Sequence, residues 1–307
     1  MFRLIHISDL HLGPLPAARI RDLASKRILG YVNWRRNRSR AFGDDVEAAL
    51  IAAIAAERPD HVAVTGDLVN IALAGEFVTA AAFLGLIGPG ESVSAIPGNH
   101  DAYVPGAARR ARKSWAAYMT ADAGEADGWP YVRRRGEVAI VGVSSAVATG
   151  PFMATGSFSE KQAKRLATVL DELGRAGLCR VVLIHHPPVK GATAWHKRLS
   201  GAARFRKVIA RHGAELILHG HTHKPTRLSI AGPAGEVPVI GVPAATQRPD
   251  GRHPAAGFNL FDIERFGEGF RMHHRLMQVV PGGGFVETRA EEIVSVADGQ
   301  PGTMNQA

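Results

Sequence analysis

Carboxylate, imidazole and carboxamide groups recur in this chain directly after short apolar runs. Phe2–Ser8 runs into Asp9-Leu10-His11, and His61–Thr65 into Gly66-Asp67. Ser92–Ile96 is followed by Gly98-Asn99-His100-Asp101, Arg180–Ile184 by His185-His186-Pro187-Pro188, and Glu215–Leu218 by Gly220-His221-Thr222-His223. Runs of this length and composition read as buried strands. In open α/β sheets the carboxyl ends of strands form the ligand crevice. Five segments therefore bring acid, imidazole and amide oxygen to one place. Unpaired carboxylates and imidazoles are costly there when partly buried. Divalent cations remove that conflict, because imidazole suits zinc, iron and nickel while carboxylate and carbonyl oxygen suit manganese and magnesium.

Taken singly, most of these motifs are ordinary. An Asp-x-His is commonly a loop, a Gly-Asp a turn, and a His-x-His a surface turn or weak metal clip. Gly-Asn-His-Asp is more specific, since no helix cap or β-turn calls for all four residues. The order of the five carries the reading. The candidate metal ligands are Asp9, His11, Asp67, Asn99, His221 and His223, with one of His185 and His186. Alternate residues of an extended segment point the same way, so Asp9 with His11, and His221 with His223, are expected to act as extended pairs. Gly66, Gly98 and Gly220 allow sharp turns and close backbone approach.

This set of five motifs resembles the calcineurin-like metallophosphoesterases, over residues 1 to about 265. The resemblance implies a four-layer α/β/β/α sandwich of two mixed β-sheets flanked by helices. It implies a dinuclear site of two divalent or trivalent ions (manganese, iron or zinc). Asp9, His11 and His223 would bind the first ion, Asn99, His185 and His221 the second, and Asp67 both. His185 is the implied ligand because the family pattern His-x-Pro starts there; His186 is then expected to face the other way. His100 is implied as the catalytic histidine, expected to be hydrogen-bonded to Asp101 and to protonate the leaving alkoxide. Two ions roughly 3.5–4 Å apart clamp the phosphoryl oxygens, and water ionised there near pH 7 attacks phosphorus in line. No Ser or Cys nucleophile motif is seen, which agrees with direct water attack. At a finer level the histidine segments resemble bacterial phosphodiesterases of the cyclic-nucleotide class. They are shared with enzymes acting on glycerophosphodiesters, nucleotides and lipid-linked diphosphates, so a small phosphodiester is the expected substrate. A nucleotide or lipid-linked phosphatase, a nuclease, and a metal-binding regulatory pseudo-enzyme are the alternatives.

The elements that must position these groups alternate. Helices are expected at Asp44–Ala56, Glu76–Leu86, Ala107–Met119, Ser159–Leu173 and Ala203–Arg211, the fourth opening on a Ser159/Gln162 capping box. A further strand is expected at Val138–Val143. After Thr226 only strands follow, at Arg227–Ile230, Val237–Val242, Phe258–Ile263 and Gly269–Gln278. One domain, residues 1–280, is expected, with residues 281–307 a flexible tail because they are Gly-rich and polar.

Composition excludes little. The 307 residues are 46% hydrophobic and 21% charged, which suits a globular core. The single cysteine, Cys179, rules out an internal disulfide and reads as a buried strand thiol. No secretory signal or membrane span is evident, so a cytoplasmic location is expected. The formal charge of +9 favours a small anionic phosphoester as partner. It also admits nucleic acid, although no aromatic-basic recognition motif accompanies it. Trp195-His196-Lys197-Arg198 is a candidate for the substrate rim. Residues 13–40 are too long for an ordinary connection. They mix Lys26, Arg27, Arg35, Arg36, Arg38 and Arg40 with Ile28, Leu29, Tyr31, Val32 and Trp34. A cationic lid, a basic amphipathic helix packed on the body, and membrane-surface contact through residues 26–40 all fit that composition.

Overall fold

A computed structural model describes residues 1–38, 41–125, 128–249 and 253–295. Strand β1 (Phe2–Ile7) lies inside a six-stranded sheet, parallel to β2 (His61–Val64) and antiparallel to β12 (Gly257–Phe266). Beyond β2 comes β3 (Val93–Ala95), and beyond β12 come β13 (Gly269–Val279) and β14 (Phe285–Ser295). The second six-stranded sheet has the order β10 (Arg227–Ala231), β11 (Glu236–Gly241), β9 (Leu216–His219), β7 (Cys179–Leu183), β5 (Val138–Gly142), β4 (Tyr131–Arg135). A small parallel pair, β6 (Gly156–Ser157) and β8 (Leu199–Ser200), stands apart.

The apolar faces dictate the layering. Along β7, Cys179, Val181 and Leu183 enter the core between the sheets, while Val182 turns to the opposite face. That period of two requires cover on both sides. The outer cover of the second sheet is α7 (Glu160–Arg175) and α8 (Ala202–His212), through Leu166, Leu170, Phe205 and Ile209. The first sheet is covered by α3 (Asp44–Glu57) and α4 (Ala74–Ile87), through Leu50, Ile54, Phe77 and Phe83. The result is the expected four-layer α/β/β/α sandwich. The parallel strands β1, β2 and β3 of one sheet and β7 and β9 of the other send their carboxyl ends to the same side. A bond from the His185 ring to the Thr65 carbonyl crosses between the sheets there.

Three local expectations need correction. The helix expected at Ala107–Met119 is broken into α5 (Ala107–Ser114) and α6 (Ala116–Met119) at Trp115. The Trp115 indole is fully buried and donates to the Phe77 carbonyl at 3.0 Å, which takes its backbone out of the helical region. Strand β4 was hidden by its run of three arginines. Arg133 turns inward and is satisfied by the carbonyls of Gly90, Val93, Ala117 and Thr120. The chain from Pro281 does not begin a free tail, because Phe285–Ser295 pairs along β13 as β14. It is held by buried Ile293 and by the pair His274 Nδ1–Glu291 Oε1 at 2.9 Å. Residues 296–307 of the expected tail lie outside the described residues.

Between β1 and α3 lie α1 (Ile20–Leu23) and α2 (Arg27–Asn33), the latter continuing into a wider turn at Trp34–Arg38. The Arg38 side chain and Arg40 lie outside the described residues. Among the described residues, no helix is long and apolar enough to cross a membrane.

The packing of β14 predicts an asymmetry between adjacent residues. Ile293→Ala should lower stability by about 2–4 kcal/mol in urea unfolding, the usual range for truncating a buried Ile. Val294→Ala, at a residue 48% exposed, should stay within about 0.5 kcal/mol. Equal, small effects would show that this strand does not seal the core.

Candidate metal centre

Three of the strand ends, those of β1, β2 and β9, turn abruptly once they leave their sheets. Asp9, His11, Asp67, His221 and His223 have φ of 54°, 44°, 56°, 67° and 55°, the left-handed region that non-glycine residues seldom occupy. Asp9 with His11, and His221 with His223, are therefore not extended pairs. Their side chains converge because tight left-handed turns fold the chain back over the strand ends. Such strain, of order 1–3 kcal/mol per residue, persists only where surrounding contacts enforce it.

Those contacts are visible. The Asp101 carboxylate, fully buried, accepts from the backbone N–H groups of Asp67, Leu68, Val69 and Gly98 at 2.8–3.1 Å. Burial and the neighbouring Asp67 charge push Asp101 up to about 7, while its backbone donors hold it down. Asp67 Oδ1 accepts from the His100 backbone N–H at 2.6 Å, and Asp9 Oδ2 from that of His221 at 2.8 Å. A Cβ on Gly98 would lie 2.2 Å from Asp67 Oδ1, so the third motif can approach the second only as glycine.

The other ligand-type atoms of the cluster crowd against one another. His11 Nε2 and His223 Nε2 are 3.3 Å apart, and His223 Nε2 lies 3.2 Å from Asp9 Oδ1. Asp9 Oδ1 is buried and makes no hydrogen bond. His185 Nε2 sits 3.2 Å from Asn99 Oδ1 and 3.4 Å from Asp67 Oδ2. Partner carbonyls assign the tautomers. His11 Nδ1 donates to the Val69 carbonyl, His185 Nδ1 to that of Thr65, and His221 Nε2 to that of Lys197. In each case the second ring nitrogen is turned toward the site, the arrangement that orients metal-ligating histidines.

Burial opposes charge on Asp67 and Asp9, yet neighbouring imidazoles win. His185 and His100 hold Asp67 well below the usual carboxylate range, and His223 holds Asp9 below it. Burial alone would lower His185, but the Asp67 carboxylate raises it to about 9. Positive charge is thus what this cluster demands. Asp9, His11 and His223 can bring ligand atoms within 4.8 Å of one another, as can Asp9, Asp67 and His185. The donor set, with an orphaned buried carboxylate oxygen in it, fits metal cations.

His186 does not face away. Its ring lies 4.9 Å from that of His185 and 4.4 Å from that of His221, because the chain has left β7 and strand alternation no longer applies. Both its nitrogens are engaged, Nδ1 with Ser145 Oγ at 2.8 Å and Nε2 with the Ala154 carbonyl at 3.2 Å. Burial lowers it to about 3, leaving it neutral. His100 is not bonded to Asp101, whose oxygens are spent on backbone N–H groups. Its Nδ1 instead contacts the Asn70 carbonyl, and its ring stacks on Tyr103 at 5.4 Å.

Asn70 and Tyr103 were not singled out from sequence. The Asn70 amide donates to the carbonyls of His11 and Leu12, tying the second motif to the first. Its place three residues after Asp67 was the available signal. The cluster opens into a cleft of about 760 Å³ lined by Asp67, Asn70, Asn99, His100, His221 and His223, with Lys26, Leu29, Phe152, His196 and Lys197 among its walls. Two cations of the 13–40 segment serve the body: Arg27 binds the Ile71 and Ala72 carbonyls, and Lys26 binds Thr149 Oγ1 and the Met153 carbonyl.

Known structures share the architecture. A dimetal phosphatase from Danio rerio is 15% identical, with 95% of this chain and 98% of that chain covered and a TM-score of 0.60. A purple acid phosphatase from yellow lupin (Lupinus luteus) seeds is 11% identical with a TM-score of 0.63; all of this chain is covered, but only 57% of the lupin chain. At such identities the likeness is one of fold. No curated protein sequence matches. A family model, calcineurin-like phosphoesterase, matches residues 2–225 and so spans every strand-end motif described above. The chain belongs to the calcineurin-like phosphoesterase family.

Proposed function

We propose that this site hydrolyses a phosphodiester with two metal ions, of which manganese, iron and zinc suit its mixed carboxylate–imidazole donors. The observation that carries this reading is the convergence of imidazole nitrogens with carboxylate and amide oxygens from five strand ends. Asp9, His11 and His223 would hold one ion, Asn99, His185 and His221 the other, and Asp67 both. His185 is preferred over His186 because only its Nε2 remains turned toward Asp67 and Asn99. When bound, the ions supply charge for the phosphoryl oxygens and acidify the attacking water.

The protein's own groups do the rest. The Asn70 carbonyl keeps a proton on His100 Nδ1, leaving Nε2 to deliver the proton that the departing alkoxide needs. The ring is steadied by Tyr103, and its backbone N–H is fastened to Asp67, so acid and bridging carboxylate move as one piece. Lys197 and Lys26 add positive charge to the cleft walls. The cleft of about 760 Å³ leaves room for a second substituent on phosphorus, which supports a diester. Phosphomonoesters are the comparison arm in any substrate panel.

Asp67→Ala should abolish Mn²⁺-dependent hydrolysis of bis-p-nitrophenyl phosphate and bring bound metal below two ions per chain by elemental analysis. Full activity with two metals in that variant would sink the assignment. His100→Ala should keep its metal while turnover falls on the order of 10²–10⁴-fold for an alkyl leaving group. The loss should shrink for p-nitrophenolate, which leaves without a proton. Equal losses for both leaving groups would remove His100 from the acid role.

A further inference from the structure

Beside its charged and imidazole groups the cleft carries apolar wall that a small polar anion would not need. On α2, Leu29 is 40% exposed and lines the cleft. Across from it Phe152 is 83% exposed and also lines the cleft, beside Met153. Phe152 has a φ of 60°, so the chain holds an uncovered phenyl ring on a strained backbone. Exposed apolar surface of this kind generally marks a binding surface. It is also built to a fixed spacing. Lys26, at the start of α2, reaches across to Thr149 Oγ1 at 2.9 Å and the Met153 carbonyl at 3.0 Å, with its ammonium 4.5 Å from the Tyr103 ring centre. That latch joins α2 to the Phe152 loop beside Tyr103, whose ring stacks on His100.

We infer that the substrate is amphiphilic: a phosphodiester bearing a hydrocarbon chain, whose phosphate enters the metal cluster while the chain lies between α2 and the Phe152 loop. This rests on the hydrolase reading and adds the substrate class. Leu29, Phe152 and Met153 offer contact area but no side-chain hydrogen-bond donor, so this part of the wall suits a saturated chain. A nucleobase laid against these three side chains would leave its ring nitrogens and carbonyls unpaired on that side.

The test is a homologous series of p-nitrophenyl alkyl phosphates, from methyl to octyl, kept below micelle-forming concentration, with thymidine 5′-p-nitrophenyl phosphate as the nucleoside arm. A fully buried methylene is worth about a fourfold gain, so even partial burial of the chain should raise kcat/KM by at least about tenfold from methyl to octyl. In Leu29→Asn/Phe152→Asn the octyl-to-methyl ratio should fall toward one. A flat series, or a thymidine ester that exceeds the octyl ester, overturns the inference. Binding decides independently of turnover. Octylphosphonate should bind Mn²⁺-loaded protein at least about tenfold tighter than methylphosphonate, with a more negative heat-capacity change. Equal affinities would overturn the inference. Loss of the hydrolase reading shows differently, as a methyl ester that is never hydrolysed while the phosphonates still rank by chain length.

Discussion

One buried carboxylate holds the centre together. Asp101 takes four backbone N–H groups from two loops that leave neighbouring strands, β2 and β3. Without it those donors would be buried and unpaired, at about 1–3 kcal/mol each. With it, the loop carrying Asp67 and the loop carrying Asn99 and His100 become a single rigid unit. The His100 backbone N–H then completes the unit by binding Asp67 Oδ1. Asp9 plays the equivalent part across the sheets, its Oδ2 catching the His221 backbone. Three carboxylates, Asp101, Asp67 and Asp9, thus join motifs that lie far apart in sequence before any ligand is considered.

The same economy explains the strain. Left-handed backbone at Asp9, His11, Asp67, His221 and His223 is unfavourable for each residue alone. It is tolerated because two packed sheets and their flanking helices fix where each strand ends. What the strain yields is a set of imidazole and carboxylate lone pairs aimed at shared points. Carbonyls of Val69, Thr65 and Lys197 behind the rings select the tautomers. The histidines are accordingly presented as bases toward the cleft, whereas His186, bonded on both sides, packs beside them.

Much of this was legible in the residues. Apolar runs followed by Asp, Asn or His marked the strand ends, and their order marked the family and the four-layer fold. Backbone geometry was not legible. A period-of-two argument put Asp9 and His11 on one extended face, but the chain has left the sheet by then and turns through left-handed conformations. Adjacency suggested that Asp101 serves His100, yet a side chain so deeply buried is claimed by the backbone N–H groups around it. Charged residues on exposed faces hid β4 and β14. In β14 only Ile293 is buried, and one inward residue in eleven leaves too faint a period to read. The apolar residues of α2 were readable as composition, but that Leu29 among them lines the metal cleft depends on the Lys26 latch, a long-range contact.

The central claim is that five strand ends exist to place two cations side by side against Asp67. Crystals grown with Mn²⁺ and measured at the manganese absorption edge test it most directly. The account predicts two anomalous peaks roughly 3.5–4 Å apart. One should lie among Asp9, His11 and His223, the other among Asn99, His185 and His221, with Asp67 touching both. A single peak, or two peaks not shared by Asp67, would contradict it.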